Sequence, residues 1–376
     1  MKLKIKKELL LENLNKVSKA ISTKNLIPIL AGIKFDLNDN GLTLTASDND
    51  ITIQTFIPIN DNKEDMIIEK EGSIIIQGKY ILDIVRKLQD EFINIEVIDD
   101  LKLLIYTENS EFNLNGINKN EYPSIILEKS KKFITTDVKI FKQIINQTAF
   151  AASSDESRPV LTGINFKING NIMECNSTDS YRLARKVITL DNPIDESYNI
   201  VIPSKNLIEF VKVISESDKK LEIHIFNSKV LFMVGNLIFE SRLISGNFPN
   251  TTNLLPDDSI LKITTNITDL YNVIDRASIL TSDKEKNIVT LETKKDTLYI
   301  RSSSAEIGRV EEKMIVKKDR DEEIRISFSA RFMMEALKSF GEEDVEISFV
   351  GEVNPIVLKA INDESLIQLV LPIRTY

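Results

Sequence analysis

Apolar residues recur along this chain in two periods, and the alternation between the periods itself repeats. Three times a short run of alternating apolar and polar residues passes through a polar turn into a stretch with helical spacing. The runs are 74–79 into 80–88, 200–205 into 206–214 and 324–329 into 330–340. The apolar positions in the helical stretches are Ile81, Ile84, Val85 and Leu88, then Leu207, Phe210, Val211 and Ile214, then Met333, Ala336, Leu337 and Phe340. Each set lies 126 residues after the one before, and the i, i+3, i+4, i+7 spacing predicts one apolar stripe per helix. Basic residues keep the same register: Lys79 and Arg86, Lys205 and Lys212, Arg331 and Lys338. At about 100° per residue, positions seven apart share a face, and that face lies roughly 150° from the stripe. Each helix is therefore expected to be apolar on one side and cationic on the other.

A second helix-period stretch opens each unit, at 8–21, 139–152 and 268–280. Alternating hairpins follow. The first runs over 32–37 and returns through Asn40-Gly41, the second over 163–168 through Asn169-Gly170, and the third over 289–294 through Lys295-Asp296 to 297–301. Asn-Gly supplies the positive φ angles of a tight hairpin turn. An aromatic-proline pair closes the first two units, at Tyr122-Pro123 and Phe248-Pro249, and polar joins fall at 128–132 and 256–258. The expected fold class is α+β, with three tandem similar domains at 1–130, 131–257 and 258–376, each packing two helices on β-sheet.

The 376 residues are 42 % hydrophobic and 28 % charged with a mean hydropathy of -0.10, the composition of a folded globular protein. No apolar run reaches the 18 or so residues of a membrane helix, and the opening residues alternate charge with apolar side chains, unlike a signal peptide. The cytoplasm is the expected compartment. The single cysteine, Cys175, cannot form an intrachain disulfide, and with a single histidine, His224, any site needing two thiolates or two imidazoles is excluded. A net charge of -9 confines any nucleic-acid contact to local patches, which is why the threefold basic register matters.

Familiar chemical motifs fit poorly. Gly72 to Gly78-Lys79 has the wrong spacing for a phosphate loop and carries Tyr80 where a hydroxyl should hold magnesium. Asp36-x-Asn38-x-Asn40-Gly41 opens like a calcium loop but has Ser47 at its twelfth position, so a hairpin turn explains it better. Asp48 and Asp50 follow a strand at a turn, where Asp caps its own backbone. His224 sits on the polar face of an alternating run, and Cys175 reads as a small packed residue. An enzyme using Asp48, Asp50, Asp155 or Asp179 as acid or base is the alternative reading, and a scaffold binding only proteins a third. No catalytic, metal or cofactor constellation emerges, and a binding scaffold is the reading that remains.

Several segments resemble one family. Ile27-Pro28-Ile29-Leu30-Ala31-Gly32-Ile33, Ser157-Arg158-Pro159-Val160-Leu161-Thr162-Gly163, Ser177-Thr178-Asp179-Ser180-Tyr181-Arg182-Leu183-Ala184, Ser245-Gly246-Asn247-Phe248-Pro249 and the end Leu369-Val370-Leu371-Pro372-Ile373-Arg374-Thr375-Tyr376 are similar to the bacterial DNA polymerase sliding clamps, the beta subunit of the polymerase III holoenzyme. The resemblance spans Met1 to Tyr376. It implies a DNA-clamp fold and a head-to-tail homodimer forming a closed ring of six similar domains around double-stranded DNA, with helices lining the hole. A heterologous contact of this kind must close to avoid a filament. It further implies a non-catalytic, sequence-independent DNA-binding processivity factor that tethers the replicative polymerase catalytic subunit, the clamp loader, repair polymerases and mismatch-repair proteins through linear peptides.

Carried over by position, the resemblance adds Lys24 to the basic residues inferred from the repeat. It places the dimer interface at Ile279 and Leu280 against Phe112 and Leu114. It assigns a peptide groove to Leu161, Thr178, Tyr181, Arg182, Leu183, Pro249, Leu254, Leu371, Pro372, Ile373 and Arg374. Chemically these read as an apolar groove with two guanidiniums and a hydroxyl at its rim, suited to leucine or phenylalanine anchors beside a polar side chain. Two departures from the family are Tyr181, where histidine is common, and Asn253, where a basic residue is frequent.

Overall fold

The structure is a computed structural model that describes residues 1–21, 27–59, 64–99, 101–215, 217–251, 254–256, 258–281, 287–341, 344–361 and 363–374. Lys24 and Asn253 lie outside the described residues. The chain divides into two compact units, Met1–Lys139 with Asn206–Leu243, and Ile140–Lys205 with Ile244–Tyr376. The division falls inside the middle repeat.

Unit 1 holds a five-stranded antiparallel sheet in the order Met66–Lys70, Lys2–Lys6, Phe92–Asp99, Lys102–Tyr106, Glu111–Asn115. An eight-stranded sheet runs Ile134–Asp137, Lys220–Ile225, Lys229–Val234, Leu237–Arg242, Ile51–Pro58, Gly41–Ser47, Gly32–Asn38, Gly72–Gln77. Its middle joins two repeats: Leu237 pairs with Thr55 and Ser241 with Ile51. Helices α1 (Lys7–Val17) and α2 (Gly78–Lys87) pack against each other. The rings of Phe210, Phe232 and Phe239 cluster at centroid distances of 4.7 to 6.3 Å.

Unit 2 holds a seven-stranded sheet, Gly163–Thr178, Arg182–Pro203, Leu366–Val370, Ile356–Ala360, Asp344–Phe349, Leu261–Asn266, Lys317–Lys318, and a four-stranded one, Gly308–Ile315, Thr297–Ser304, Ile288–Lys294, Arg325–Ser329. Here too a sheet continues between repeats, with Arg182 opposite Val370 and Lys186 opposite Leu366. Helix α3 spans Val138–Thr148, most of it in unit 2, whereas α4, Ser204–Val213, belongs to unit 1 from Asn206 onward. Helices α5 (Ile267–Ser278) and α6 (Ala330–Lys338) pack together over a core that includes Met333, Ala336, Leu337 and Phe340.

The predicted helices form, and α2, α4 and α6 keep the 126-residue register. Two begin earlier than the apolar stripe suggests, at Gly78 and Ser204, because their polar first turns contribute nothing to the stripe. Helix α6 starts where expected, at Ala330, capped by Ser329, whose hydroxyl accepts the Phe332 N–H at 3.4 Å; such a cap is worth about 1 kcal/mol. Ile81, Leu207, Phe210 and Leu337 are buried, each contributing on the order of 1.5–3 kcal/mol relative to exposure.

The third hairpin pairs as predicted, Lys294 with Thr297, whereas the first turns one residue earlier than expected: Asn38 pairs with Gly41, so Asp39-Asn40 make the turn and Gly41 opens the return strand. Gly41 has φ +151°, and a Cβ there would stand 2.1 Å from the Ile57 carbonyl oxygen, so no side chain fits. In the second repeat, 163–168 pairs with 198–203 and 172–178 with 183–189. The expected return through Asn169-Gly170 therefore does not occur: 163–178 runs on as one strand and turns back at 179–181, and Gly170, with φ +57°, sits at an irregularity in the pairing instead of a hairpin turn.

Candidate DNA-facing and peptide-binding surfaces

The six helix-borne basic residues lie on α2, α4 and α6, directed away from the apolar stripes. Three have an acidic neighbour on the same helix: Arg86 lies 3.6 Å from Asp83, Lys212 2.6 Å from Glu209 and Arg331 3.2 Å from Glu335. Asp83, Glu209 and Glu335 are themselves 126 residues apart. Each face is therefore a basic-acidic-basic series at i, i+4 and i+7, with a net charge of one positive. Lys338 stands 4.9 Å from the centre of the Tyr271 ring, and hydrogen bonding to the Tyr271 hydroxyl holds its pKa above the usual lysine value.

The groove residues belong to unit 2, and the turn at 179–181 organises them. Asp179 Oδ1 accepts the N–H groups of Tyr181 and Arg182 at 2.9 and 3.1 Å, and Ser180, between Asp179 and Tyr181, has φ +78°. This Asx turn fixes the loop and turns Tyr181 outward, 64 % exposed. The first repeat builds the same turn at Asp48, whose Oδ1 accepts the N–H groups of Asp50 and Ile51, the capping role its place after a strand predicts. Tyr181 stacks on Phe332 of α6 at 6.5 Å, and its carbonyl accepts the Leu371 N–H at 2.9 Å. The chain end continues to the edge of the four-stranded sheet, where Ile373 N–H donates to Ser327 O at 2.7 Å. Beneath lies an apolar cluster of Leu183, Val357, Ile367 and Leu369, with Leu255 and Leu371 packed on it.

Arg182 differs from the expectation of a guanidinium at the rim. It is 6 % exposed, and its side chain donates to Asp179 Oδ2 at 2.9 Å, to Glu335 Oε2 and to the Phe150 carbonyl at 2.6 Å, with the Phe332 ring 4.4 Å away. A guanidinium has five donors in a fixed fork, and here the fork ties together the turn, α6 and the short segment that follows α3. Thr178 is buried too: its hydroxyl donates to Arg182 O at 2.5 Å and accepts from Ser180 N–H at 3.1 Å. Arg374 is exposed at the chain end. Leu161 is buried, and its carbonyl accepts from Ser153, just beyond Phe150. Pro249 and Leu254 are exposed on the segment that reaches the cluster through Leu255. Phe332 and Glu335 contact Tyr181 and Arg182 although the sequence pattern does not bring them out; an aromatic at the flank of the α6 stripe is the available signal.

Two sheet edges complete the description. In unit 1, Glu111–Asn115 is an edge strand on which Phe112 is 37 % exposed and Leu114 half-buried. Beside it is a cleft of about 390 Å³ lined by Ile76, Gln77, Tyr80, Asn113, Leu114 and Asn115. In unit 2 the edge strand is Gly308–Ile315, tied to α5 by Arg276 and Glu312 at 2.8 Å. Just past α5, Ile279 is 73 % exposed and Leu280 half-buried. Among the described residues no helix is long and apolar enough to cross a membrane.

Tandem repeats of paired helices on sheets that run on from one repeat to the next define the sliding-clamp class of repeat proteins. Comparison with known proteins agrees. The family description "DNA polymerase III beta subunit, N-terminal domain" matches residues 1–126, its central domain 135–250 and its C-terminal domain 252–374. The chain belongs to the DNA polymerase III beta subunit family. It is 40 % identical to the beta sliding clamp of Bacillus subtilis and 39 % identical to that of Staphylococcus epidermidis, with all of each chain covered. A crystal structure of the Bacillus subtilis DNA polymerase sliding clamp superposes with a TM-score of 0.96 over all of both chains at 40 % identity. The DNA polymerase III beta chain of Streptococcus pneumoniae does so with 0.96 at 34 %.

Proposed function

We propose that two copies of this chain close head to tail into a ring of six similar domains around double-stranded DNA and act there as a non-catalytic tether. The observation that carries this reading is the pattern of sheet edges. The last strand of the middle repeat, 237–242, adds to strand 51–58 of the first, and the last strand of the third, 366–370, adds to 182–186 of the middle. The first repeat's last strand, 111–115, lies 126 residues before 237–241 and among the described residues has no such neighbour, while 308–315 of the third repeat is likewise an open edge there. Joining these two edges between chains, with Ile279 and Leu280 seated against Phe112 and Leu114 in the cleft beside Tyr80, repeats the internal junction and closes the set.

On this reading the domains are 1–130, 131–257 and 258–376, and the faces of α2, α4 and α6, with Lys24, meet phosphates. One net positive charge per face gives weak contact without base readout, which lets a ring slide; topology retains it. Tyr181, Leu371, Pro372 and Ile373 then take leucine or phenylalanine anchors of peptides from the replicative polymerase, the clamp loader and repair proteins in the cytoplasm, above the floor built by Arg182 and Leu183.

Light scattering across a dilution series gives a species near twice 42.7 kDa if the ring forms. Loaded on nicked circular DNA, such a species stays bound and leaves when the circle is cut. A monomer at micromolar concentration, or release without cutting, overturns the reading.

A further inference from the structure

The outer face of the four-stranded sheet carries a cleft of about 1290 Å³ that runs from the chain end to the far edge strand. Ser327, Ile373 and Arg374 line its near end, Thr290 and Arg301 its middle, and Arg309 its far end; Arg325, beside Ser327, lines it too. Four guanidiniums thus face it, against the carboxylates of Glu311 and Glu352. Glu311 is already engaged, 2.7 Å from Arg301 and 3.2 Å from Lys313, and Arg301 also pairs with Glu292. Arg309, Arg325 and Arg374 are exposed in the single chain and make no ion pair among the described residues; Arg309 lies on strand 308–315, the edge that the ring reading pairs with a second chain. Guanidinium forks match carboxylates, and the hydroxyls of Thr290 and Ser327, hydrogen-bonded to each other at 2.8 Å, line the same cleft.

The cleft is continuous with the groove. The segment from Leu371 to Ile373 hydrogen-bonds Tyr181 O at one end and Ser327 O at the other, so a peptide lying on Leu371 and Ile373 is led directly onto the charged sheet. From the strand holding Ser327 to that holding Arg309 is three strand spacings of about 4.8 Å, the length of roughly four or five extended residues. No aromatic ring lines the cleft among the described residues, which leaves it without the stacking surface that single-stranded nucleic acid uses.

We infer that this cleft takes an acidic flank of a client peptide, a short extended stretch of Asp or Glu adjoining the apolar anchor. The inference rests on the groove reading above and adds a charge preference to it. It assigns Arg309 and Arg325 a role in selecting among clients and in steering their approach.

Fluorescence anisotropy tests it with the full-length protein and a labelled peptide bearing a leucine and a phenylalanine anchor, alone or with five aspartates appended at either end. The expected result is that one of the extended peptides binds about tenfold more tightly than the anchor alone at low salt. That gain is expected to shrink at high salt and to vanish in an Arg309→Ser, Arg325→Ser double variant that binds the plain anchor normally. Plain-anchor binding with no gain from aspartates, or a gain that survives in the double variant, overturns the inference and leaves the groove reading standing. Failure of every peptide to bind removes both. A labelled oligothymidylate that binds the wild type but not the double variant, and that displaces the acidic peptide, reassigns the cleft to nucleic acid.

Discussion

The helix faces and the groove of this chain are both polar surfaces built around arginine and lysine, yet they are built in opposite ways. On α2, α4 and α6 the cations stand on the outer face, sit one helical step from an acid, and can swing away from it. In the groove Arg182 is buried and every arm of its guanidinium has a partner from a different part of unit 2. A surface meant to hold any sequence of phosphates gains nothing from fixed geometry, whereas one that recognises a particular peptide needs its walls fixed before the peptide arrives. The two arrangements should therefore fail differently when altered.

The largest effect is expected at Arg182. Arg182→Ala removes a buried guanidinium together with its bonds to Asp179, Glu335 and the Phe150 carbonyl and should cost roughly 3–5 kcal/mol in urea denaturation. A loss below about 1 kcal/mol would remove the contrast between a built floor and a loose face. Tyr181→Ala sharpens the comparison from the other side. That ring is exposed, so stability should change by no more than about 0.5 kcal/mol, while anchor-peptide affinity falls about tenfold or more. Equal losses in both measurements would mean that Tyr181 is structural.

On the helix faces, Lys212→Ala should leave stability within about 0.5 kcal/mol and lower the salt slope of DNA binding by roughly 0.9 for each phosphate it no longer neutralises. Asp83→Asn should act in the reverse sense and tighten binding, because it removes the anion beside Arg86. A variant pair with no opposing effects would show that these faces do not meet DNA.

The smallest effect concerns acid. Burial pushes the Asp363 carboxyl up, but the Ser365 hydroxyl and the Lys186 ammonium, 2.9 Å away, outweigh it and its pKa lies below the ordinary value. A carboxyl with a depressed folded pKa contributes stability above its unfolded pKa, about 3.9, and loses it as pH falls through the folded value. Asp363→Asn should therefore flatten the stability profile on the acid side of about pH 4 and leave the slope near neutrality unchanged.

What was legible in the sequence was whatever repeats at fixed spacing. The stripes of Ile81, Leu207 and Met333 and the capping role of Asp48 depend on residues within a few positions of one another, and each appears where the pattern puts it; the first hairpin turns one residue before Asn40-Gly41. The acidic members Asp83, Glu209 and Glu335 are equally periodic and escape only because a search for cations ignores their neighbours. Arg182 is a different case. Its burial depends on Phe150, 32 residues away, and on Glu335, 153 residues away, and no local pattern connects them. Phe332 escapes notice for the same reason, since an aromatic off the core stripe acquires meaning only beside Tyr181.

Glu335 carries a single negative charge and divides it between two cations. One oxygen holds Arg182 under the groove and the other lies 3.2 Å from Arg331 on the helix face. Whatever draws Arg331 away leaves more of that charge for Arg182, and whatever loosens Arg182 frees Arg331. Linkage makes such a trade reciprocal. A substitution at this one carboxylate thus cannot be read as a change to either surface alone, and a double-mutant cycle across Arg182 and Arg331 would give the size of the exchange.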